Sequence, residues 1–383
     1  MDFDLSETQR AVQETARAYA RERIAPAAAA NDQAGRFPVE LVRGLGELGL
    51  LAVNVPAEHG GSEAGAVAYA LALMEIAAAD PAVSTTMAVT NMVAETIARW
   101  GTEAQRARHL PKLASAEHLA GAFGLSEPQS GSDAASMTTR ATRRGDGWVL
   151  DGAKQWITSG DVAGVMVVWA KTDPAAGHKG VTAFLVEAGT PGLEVGRHED
   201  KLGLRASSTV SLTFDGCAVP DEARLGGVGE GFRIALSALD GGRIGISAQA
   251  AGTMTAALEA SVRYAKDRRS FGVPIADHQA IQFMLADMAT ARDTARLLCL
   301  RAASLKEAGR PFTREAAMAK VWASEASQKV VSQAVQIHGG YGYTDDFPVA
   351  KLFRDARVQT IYEGTSEIQR LVIARELLKG AQS

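Results

Sequence analysis

A chain of 383 residues with a formal net charge of −4, 46% hydrophobic and 22% charged residues, has the composition of an ordinary globular protein and material for two or three domains. That balance excludes a disordered or fibrous class and leaves no basic footprint for nucleic acid or an anionic membrane surface. The only cysteines, Cys217 and Cys299, stand far apart with no CxxC or Cys/His cluster. Neither a disulfide framework nor a zinc or other metal site is implied, and both cysteines read as small core or boundary residues.

The start, Met1-Asp2-Phe3-Asp4, is acidic and polar, unlike a signal peptide, and the longest apolar run, near Val162 to Ala170, is far short of the roughly 20 residues a bilayer crossing needs. A soluble cytoplasmic protein is expected. From Ser6, with Gln9 completing a capping box, apolar residues at Val12, Ala16, Tyr19 and Ile24 predict a first amphipathic helix that ends before Pro26. Helical patterns follow from Val39 to Leu48, closed by Gly49, from Val67 to Ala79, and after Thr102, whose segment carries Leu110 and Leu113. Residues 1–120 therefore read as an N-terminal α-helical domain.

Over 121–225 the pattern becomes β-rich. Gly145-Asp146-Gly147 is a turn, Trp148 to Leu150 and Val165 to Ala170 are strands, and alternation runs through Val181, Ala183 and Leu185. Short strands and tight turns predict a compact antiparallel barrel or sandwich. Gly227, Gly229 and Gly231 lack the spacing and the strand-to-helix context of a dinucleotide fingerprint, so they read as a flexible hinge. Over 226–383 the helical period returns, with one helix through Leu258, Val262 and Ala265, and a second through Ile281, Met284, Leu285, Met288, Ala295 and Leu298. A third opens at Phe312-Thr313 and runs to Ile337, and the last follows Ser366; together they predict a C-terminal four-helix bundle.

Just before that last helix stands Ile361-Tyr362-Glu363-Gly364-Thr365-Ser366-Glu367-Ile368-Gln369-Arg370. Ser366 with Gln369 makes a capping box, either Thr365 or Ser366 serves as N-cap, and Glu363 lies just outside the first turn. Alone, Glu363 would read as a solvated loop acid. The decapeptide, however, resembles the catalytic segment of the acyl-CoA dehydrogenases, and three further stretches match that family in the same order: Phe123-Gly124-Leu125-Ser126-Glu127-Pro128-Gln129-Ser130-Gly131-Ser132-Asp133, Lys154-Gln155-Trp156-Ile157-Thr158, and Asp267-Arg268-Arg269-Ser270-Phe271-Gly272.

The resemblance implies an α+β multidomain fold (helical domain, antiparallel β domain, four-helix bundle), assembled as a homotetramer whose FAD sites are shared between subunits. It implies that Glu363 is the base taking the α-proton of an acyl-CoA, and that FAD accepts the β-hydride, since no side chain can. Phe123, Leu125, Ser126, Gly131 and Ser132 would line the flavin and the thioester tail, and Trp156 and Thr158 would lie against the flavin ring. Arg268, Ser270 and Phe271 resemble the family's pyrophosphate-binding triplet. With Gln336, Gly339 and Gly340 they would reach the FAD of a neighbouring subunit, and His278, Thr365 and Glu367 complete the expected cofactor set. Ser132, Leu239, Asp240, Arg243, Tyr362 and Gly364 are the expected substrate residues, with Val89, Met92 and Leu239 as the floor of the acyl pocket. Leu239-Asp240-Gly241-Gly242-Arg243-Ile244-Gly245-Ile246 is close to the short-chain members. Some members carry the base at the position of Gly242, where glycine cannot act. The implied function is dehydrogenation of a short-chain, straight or branched, acyl-CoA to trans-2-enoyl-CoA, with an electron-transferring flavoprotein as acceptor; the alternatives are an acyl-CoA oxidase and a non-catalytic acyl-thioester-binding flavoprotein. On the pKa of Glu363 two influences oppose: a helix N-terminus lowers it and an apolar pocket raises it.

Overall fold

The computed structural model describes residues 4–380, so most of the acidic Met1–Asp4 start lies outside it. The first helix, Glu7–Tyr19 (α1), opens on the expected capping box, with Ser6 Oγ accepting from the Gln9 amide at 3.2 Å and the Gln9 side chain accepting from the Ser6 amide at 3.0 Å. It does not stop at Pro26. A π turn over Ala20–Ile24 carries it into Ala25–Ala34 (α2), closed by left-handed Gly35. Pro26 falls at the first positions of the new register, where an N–H is not required, so the wider turn accommodates the proline that was expected to end the helix.

Val39–Glu47 (α3), Ala66–Ala79 (α4), Pro81–Trp100 (α5) and Glu103–Ala114 (α6) complete the helical N-terminal domain. Both α4 and α5 are buried on most sides and carry no clean apolar stripe. What starts α5 is Asp80, whose carboxylate accepts from the Ala82 amide at 3.0 Å ahead of Pro81.

The middle β domain contains Ala120–Gly124 (β1), Arg140–Arg144 (β2), Gly147–Thr158 (β3), Ala163–Lys171 (β4), Val181–Glu187 (β5), Leu193–His198 (β6), Thr209–Pro220 (β7) and Arg224–Leu225 (β8). The strands run in the order β6-β7-β3-β2-β4-β5-β8, with β1 added on β4. Most pairings are antiparallel, but β1 runs parallel to β4, and β2 meets β4 in parallel at Arg140 and Lys171. The all-antiparallel expectation is corrected here: two intervening strands give the long crossover that parallel pairing needs. The glycine run is also pinned, contrary to the expected loose hinge. Gly229 N–H donates to Thr182 Oγ1 at 3.0 Å, and Trp169 Nε1 donates to the Gly231 carbonyl at 2.7 Å.

The helical C-terminal domain is built on Gly231–Asp267 (α7), which packs against α4 and α5. A small hairpin, Arg269–Ser270 (β9) with Val273–Pro274 (β10), leads to Gln279–Glu307 (α8), Thr313–His338 (α9), the short Pro348–Ala356 (α10) and Ser366–Gly380 (α11). Both α8 and α9 pack on α7, and α11 packs on α9. Both cysteines are buried free thiols, as expected.

One buried charge cluster ties the three domains together. Lys351 on α10 bonds Asp80 at 2.8 Å and Asp355 at 2.7 Å, and Asp355 accepts from the amide of Leu204, in the loop after β6, at 2.6 Å. Burial pushes the Asp355 carboxyl up while Lys351 holds it down, and the lysine itself is raised by its two carboxylates. Removing the cation leaves two buried carboxylates facing each other, so Lys351→Met is expected to destabilise the fold by about 3–5 kcal/mol. Calorimetry should show a clear drop in Tm; an unchanged Tm would show that the cluster does not hold the domains.

Candidate active site

Three chain segments meet around Glu363. Its own turn lies between α10 and α11, with Glu363 at φ +54° and Gly364 at φ +84°. Two successive left-handed residues are costly unless the surroundings impose them. Here Lys320 on α9 donates to the Gly364 carbonyl at 2.7 Å, and Gln369 Nε2 donates to the carbonyls of Gly364 and Glu363 at 2.8 and 3.0 Å. A Cβ on Gly364 would come within 2.7 Å of that Gln369 nitrogen, so only glycine suits the position. Thr365 caps α11 by accepting from the Ile368 amide at 3.3 Å. The expected Ser366–Gln369 capping box does not form, because Gln369 turns back to the turn's carbonyls instead.

From α7 comes Gly242, at which a Cβ would lie 2.6 Å from Glu363 Oε2 and 3.0 Å from Met92 Sδ on α5. The missing side chain makes room for the carboxyl. Glu363 is half-buried as a residue, but Oε2 is sealed from solvent without a hydrogen-bond partner. Burial raises its pKa to about 7, against the opposing charges of Arg243 and Lys320. Of the two influences weighed from sequence, the apolar pocket therefore wins. One turn away, Arg243 Nη1 bonds Asp240 at 2.5 Å, and Asp240 also accepts from Thr313 at 2.6 Å. The Tyr362 hydroxyl donates to Gln249, which is itself buried and bonded to Pro81, Ser84 and Thr85. Beside this lies a cavity of about 650 Å³ that Met92, Trp100, Asp240, Gly242, Phe312 and Thr313 help to line.

The β domain presents its residues to the same region. Leu125 is buried in one apolar cluster with Val89 of α5 and Leu239 of α7, and Phe123 packs its ring on Trp169 at 4.3 Å. The Ser126 carbonyl accepts from the Gln155 amide at 2.9 Å, which sets the loop carrying Ser126, Gly131 and Ser132 beside Trp156 and Thr158. At a bulge in β3, Trp156 takes φ +64° and stays 61% exposed. A strained strand residue offering a bare indole face fits a flat aromatic cofactor stacked on it.

An ion pair that sequence reasoning left unassigned holds this arrangement. Lys154 Nζ and Glu127 Oε1 lie 2.8 Å apart and fully buried, and Glu127 also accepts from the Thr138 and Thr139 amides at 2.6 and 3.0 Å. Burial would raise the Glu127 pKa, but Lys154 and these donors outweigh it and hold it at about 2. The signal was present, since both residues stand inside recognised stretches. Lys320 was missed as well; its trace in the sequence is a lysine among the small residues of the buried face of α9, Ala316, Ala319, Ala323, Ser324 and Ser327.

The remaining expected residues, apart from Glu367, gather at the far end of the bundle. Arg268 lies over the Tyr341 ring at 5.6 Å, and both line a cavity of about 530 Å³ with Gly339 and Gly340. Ser270 and His278 Nε2 are 3.3 Å apart, and Phe271, at φ +49°, is 96% exposed. Gln336 is exposed nearby, and Glu367 is exposed on α11. At 1.5 Å per residue, Arg268 stands roughly 38 Å along α7 from Arg243, so one chain does not bring the two groups together.

Comparison with known proteins identifies the family. The acyl-CoA dehydrogenase N-terminal, middle and C-terminal domain models match residues 6–117, 122–217 and 229–378. The short-chain specific acyl-CoA dehydrogenase of Bos taurus mitochondria is 47% identical over 99% of this chain and 92% of its own. An acyl-CoA dehydrogenase of Bacillus subtilis is 47% identical over 95% of this chain and 96% of its own. Among solved structures, butyryl-CoA dehydrogenase of Megasphaera elsdenii superimposes with a TM-score of 0.97 at 42% identity, covering 99% of this chain and all of the other. The chain belongs to the acyl-CoA dehydrogenase family. Among the described residues no helix is long and apolar enough to cross a membrane, and no His, Cys, Asp or Glu group is arranged to hold a metal.

With its pKa raised to about 7 from an ordinary 4.5, Glu363 is fully compatible with the fold at low pH and costs stability as pH rises from about 4.5 to 7. Glu363→Gln, which does not titrate, is therefore expected to have the higher Tm, with the gap opening between pH 4.5 and 7 and constant above. Equal melting curves at pH 5 and pH 8 would show that the carboxyl is not held protonated by its pocket.

Proposed function

We propose that this protein is an FAD-dependent acyl-CoA dehydrogenase that converts a short-chain, straight or branched, acyl-CoA to its trans-2-enoyl-CoA. The observation that carries the reading is the Glu363 carboxyl, tuned to about 7 and aimed with an unpartnered oxygen into the space left by Gly242. A base poised near neutral pH suits abstraction of a weakly acidic α-proton. FAD, when bound, supplies the acceptor for the β-hydride.

The chain's own residues do the rest. Glu363 takes the α-proton, Arg243 and Lys320 favour its ionised form, and Asp240 holds Arg243 in place. Ser132, Leu239, Tyr362 and Gly364 bound the path of the thioester, and the medium-sized Val89, Met92 and Leu239 close the pocket against long chains. Phe123, Leu125, Ser126, Gly131, Trp156 and Thr158 form the face for the flavin ring, with Thr365 and Glu367 at its edge.

Arg268, Ser270, Phe271, His278, Gln336, Gly339 and Gly340 suit the pyrophosphate end of FAD, with the guanidinium forking onto phosphate oxygens and the glycines admitting close approach. These residues stand roughly 38 Å along α7 from Arg243, beside the base. As the family resemblance implies, we take them to serve the FAD of a neighbouring subunit and the enzyme to be a cytoplasmic homotetramer. Exposed Phe283 and Leu297 on α8, Trp322 on α9, and Leu371, Leu377 and Leu378 on α11 give it apolar faces to assemble on. An electron-transferring flavoprotein is the proposed acceptor.

Anaerobic titration of the FAD-loaded protein with saturated acyl-CoAs of increasing length and branching tests the reading. The flavin absorbance should bleach most readily with short chains, and a flavin that no acyl-CoA bleaches would overturn it. Glu363→Gln should keep the flavin and bind acyl-CoA while losing at least about 10³-fold in kcat, and normal turnover would remove Glu363 as the base. Because the ionised carboxylate is the active form, kcat/KM of the wild type should fall as pH drops below about 7.

A further inference from the structure

Lys320 sits in the middle of α9 with no solvent exposure. A buried ammonium is costly unless something requires it, and an apolar residue of similar size generally fits such a place at less expense. The hydrogen bond to Gly364 does not by itself require a cation, because Gln369 already donates to the same carbonyl at 2.8 Å. Nor does a carboxylate neutralise it: among the described residues Arg243 is paired with Asp240 at 2.5 Å, whereas no acidic side chain forms an ion pair with Lys320. The charge that acts on it most strongly is Glu363, one residue before the carbonyl it holds.

The other charged or titratable groups around Glu363 can be placed element by element. Arg243 comes from α7 with Asp240 paired to it, Tyr69 from α4, and Tyr362 adjoins Glu363 in the turn itself. Glu367 of α11 and Glu325 of α9 face Lys320, and Arg375 of α11 faces Arg243. Within this set Lys320 alone is both fully buried and bonded to the turn that carries Glu363.

We propose that Lys320 is a positioning residue for Glu363: its ammonium pins the left-handed Glu363–Gly364 turn and supplies the unpaired positive charge that favours the ionised carboxylate. The inference rests on Glu363 being the base. Burial lowers the Lys320 pKa only to about 8, with Glu363 opposing, so the lysine is charged where the carboxyl titrates.

Lys320→Met removes donor and charge together. In the FAD-loaded enzyme, kcat should fall on the order of tenfold to a hundredfold with KM within about twofold, as expected for a displaced base and an intact thioester site. The acidic limb of the kcat/KM profile should move up by roughly one pH unit. The carboxyl-stretch infrared difference spectrum against Glu363→Gln, titrated with pH, reads the Glu363 midpoint without turnover and should move up equally. Lys320→Arg, which keeps the charge, should leave that midpoint near the wild-type value. If Lys320→Met does not fold, Lys320→Gln serves the same two readouts.

A variant with wild-type kcat and midpoint would overturn the proposal, as would one that loses activity and stability while the midpoint stays put. If Glu363→Gln itself turns over normally, the function proposed above has failed. If Glu363→Gln is inactive and the Lys320 variants are unchanged, only the role of Lys320 has.

Discussion

The Glu363–Gly364 turn holds a conformation no isolated peptide would choose, with two left-handed residues in succession and a carboxyl turned into an apolar gap. Everything nearby serves to impose it. Gln369 and Lys320 occupy the turn's carbonyls, Thr365 starts the next helix one residue after Gly364, and α7 offers glycine at the one place where a side chain would collide with the carboxyl. The raised pKa of Glu363 follows from that confinement, because desolvation penalises the charged form, and neither Arg243 nor Lys320 cancels it.

The same logic governs the β domain. Trp156 can stay strained and exposed because β3 is anchored one turn of the pleat earlier by the Lys154–Glu127 pair, which is closed on the second side by the Thr138 and Thr139 amides. The Lys351 cluster then relates this domain to the helices, joining α5, α10 and the loop after β6. Buried charges thus occur at the junctions, where register between domains matters more than the added stability that apolar packing would bring.

Much of the architecture was legible because it rests on local rules. The Ser6 and Thr102 caps, the Gly145–Gly147 turn and strand alternation act over a few residues, and they located the elements they flank, whereas Pro81–Trp100, buried on most sides, carries no stripe that local periodicity could read. The misreadings came where a neighbour overrode the local rule: a π turn carried the first helix past Pro26, a crossover let β1 lie parallel to β4, and Gln369 abandoned its capping role to hold the turn of Glu363.

The sequence by itself determined the order of helical, β and helical segments and the residue types that chemistry needs, since periodicity and motif spacing are properties of the chain. Only the tertiary structure decided that Lys320 and Arg243 share the surroundings of Glu363, and that burial raises its pKa to about 7. It also decided that Arg268 and its companions stand at the opposite end of α7 from Arg243. The reason is physical: an electrostatic environment is set by everything packed around a group, and those neighbours lie 43 and 120 residues away along the chain, where no local pattern reaches.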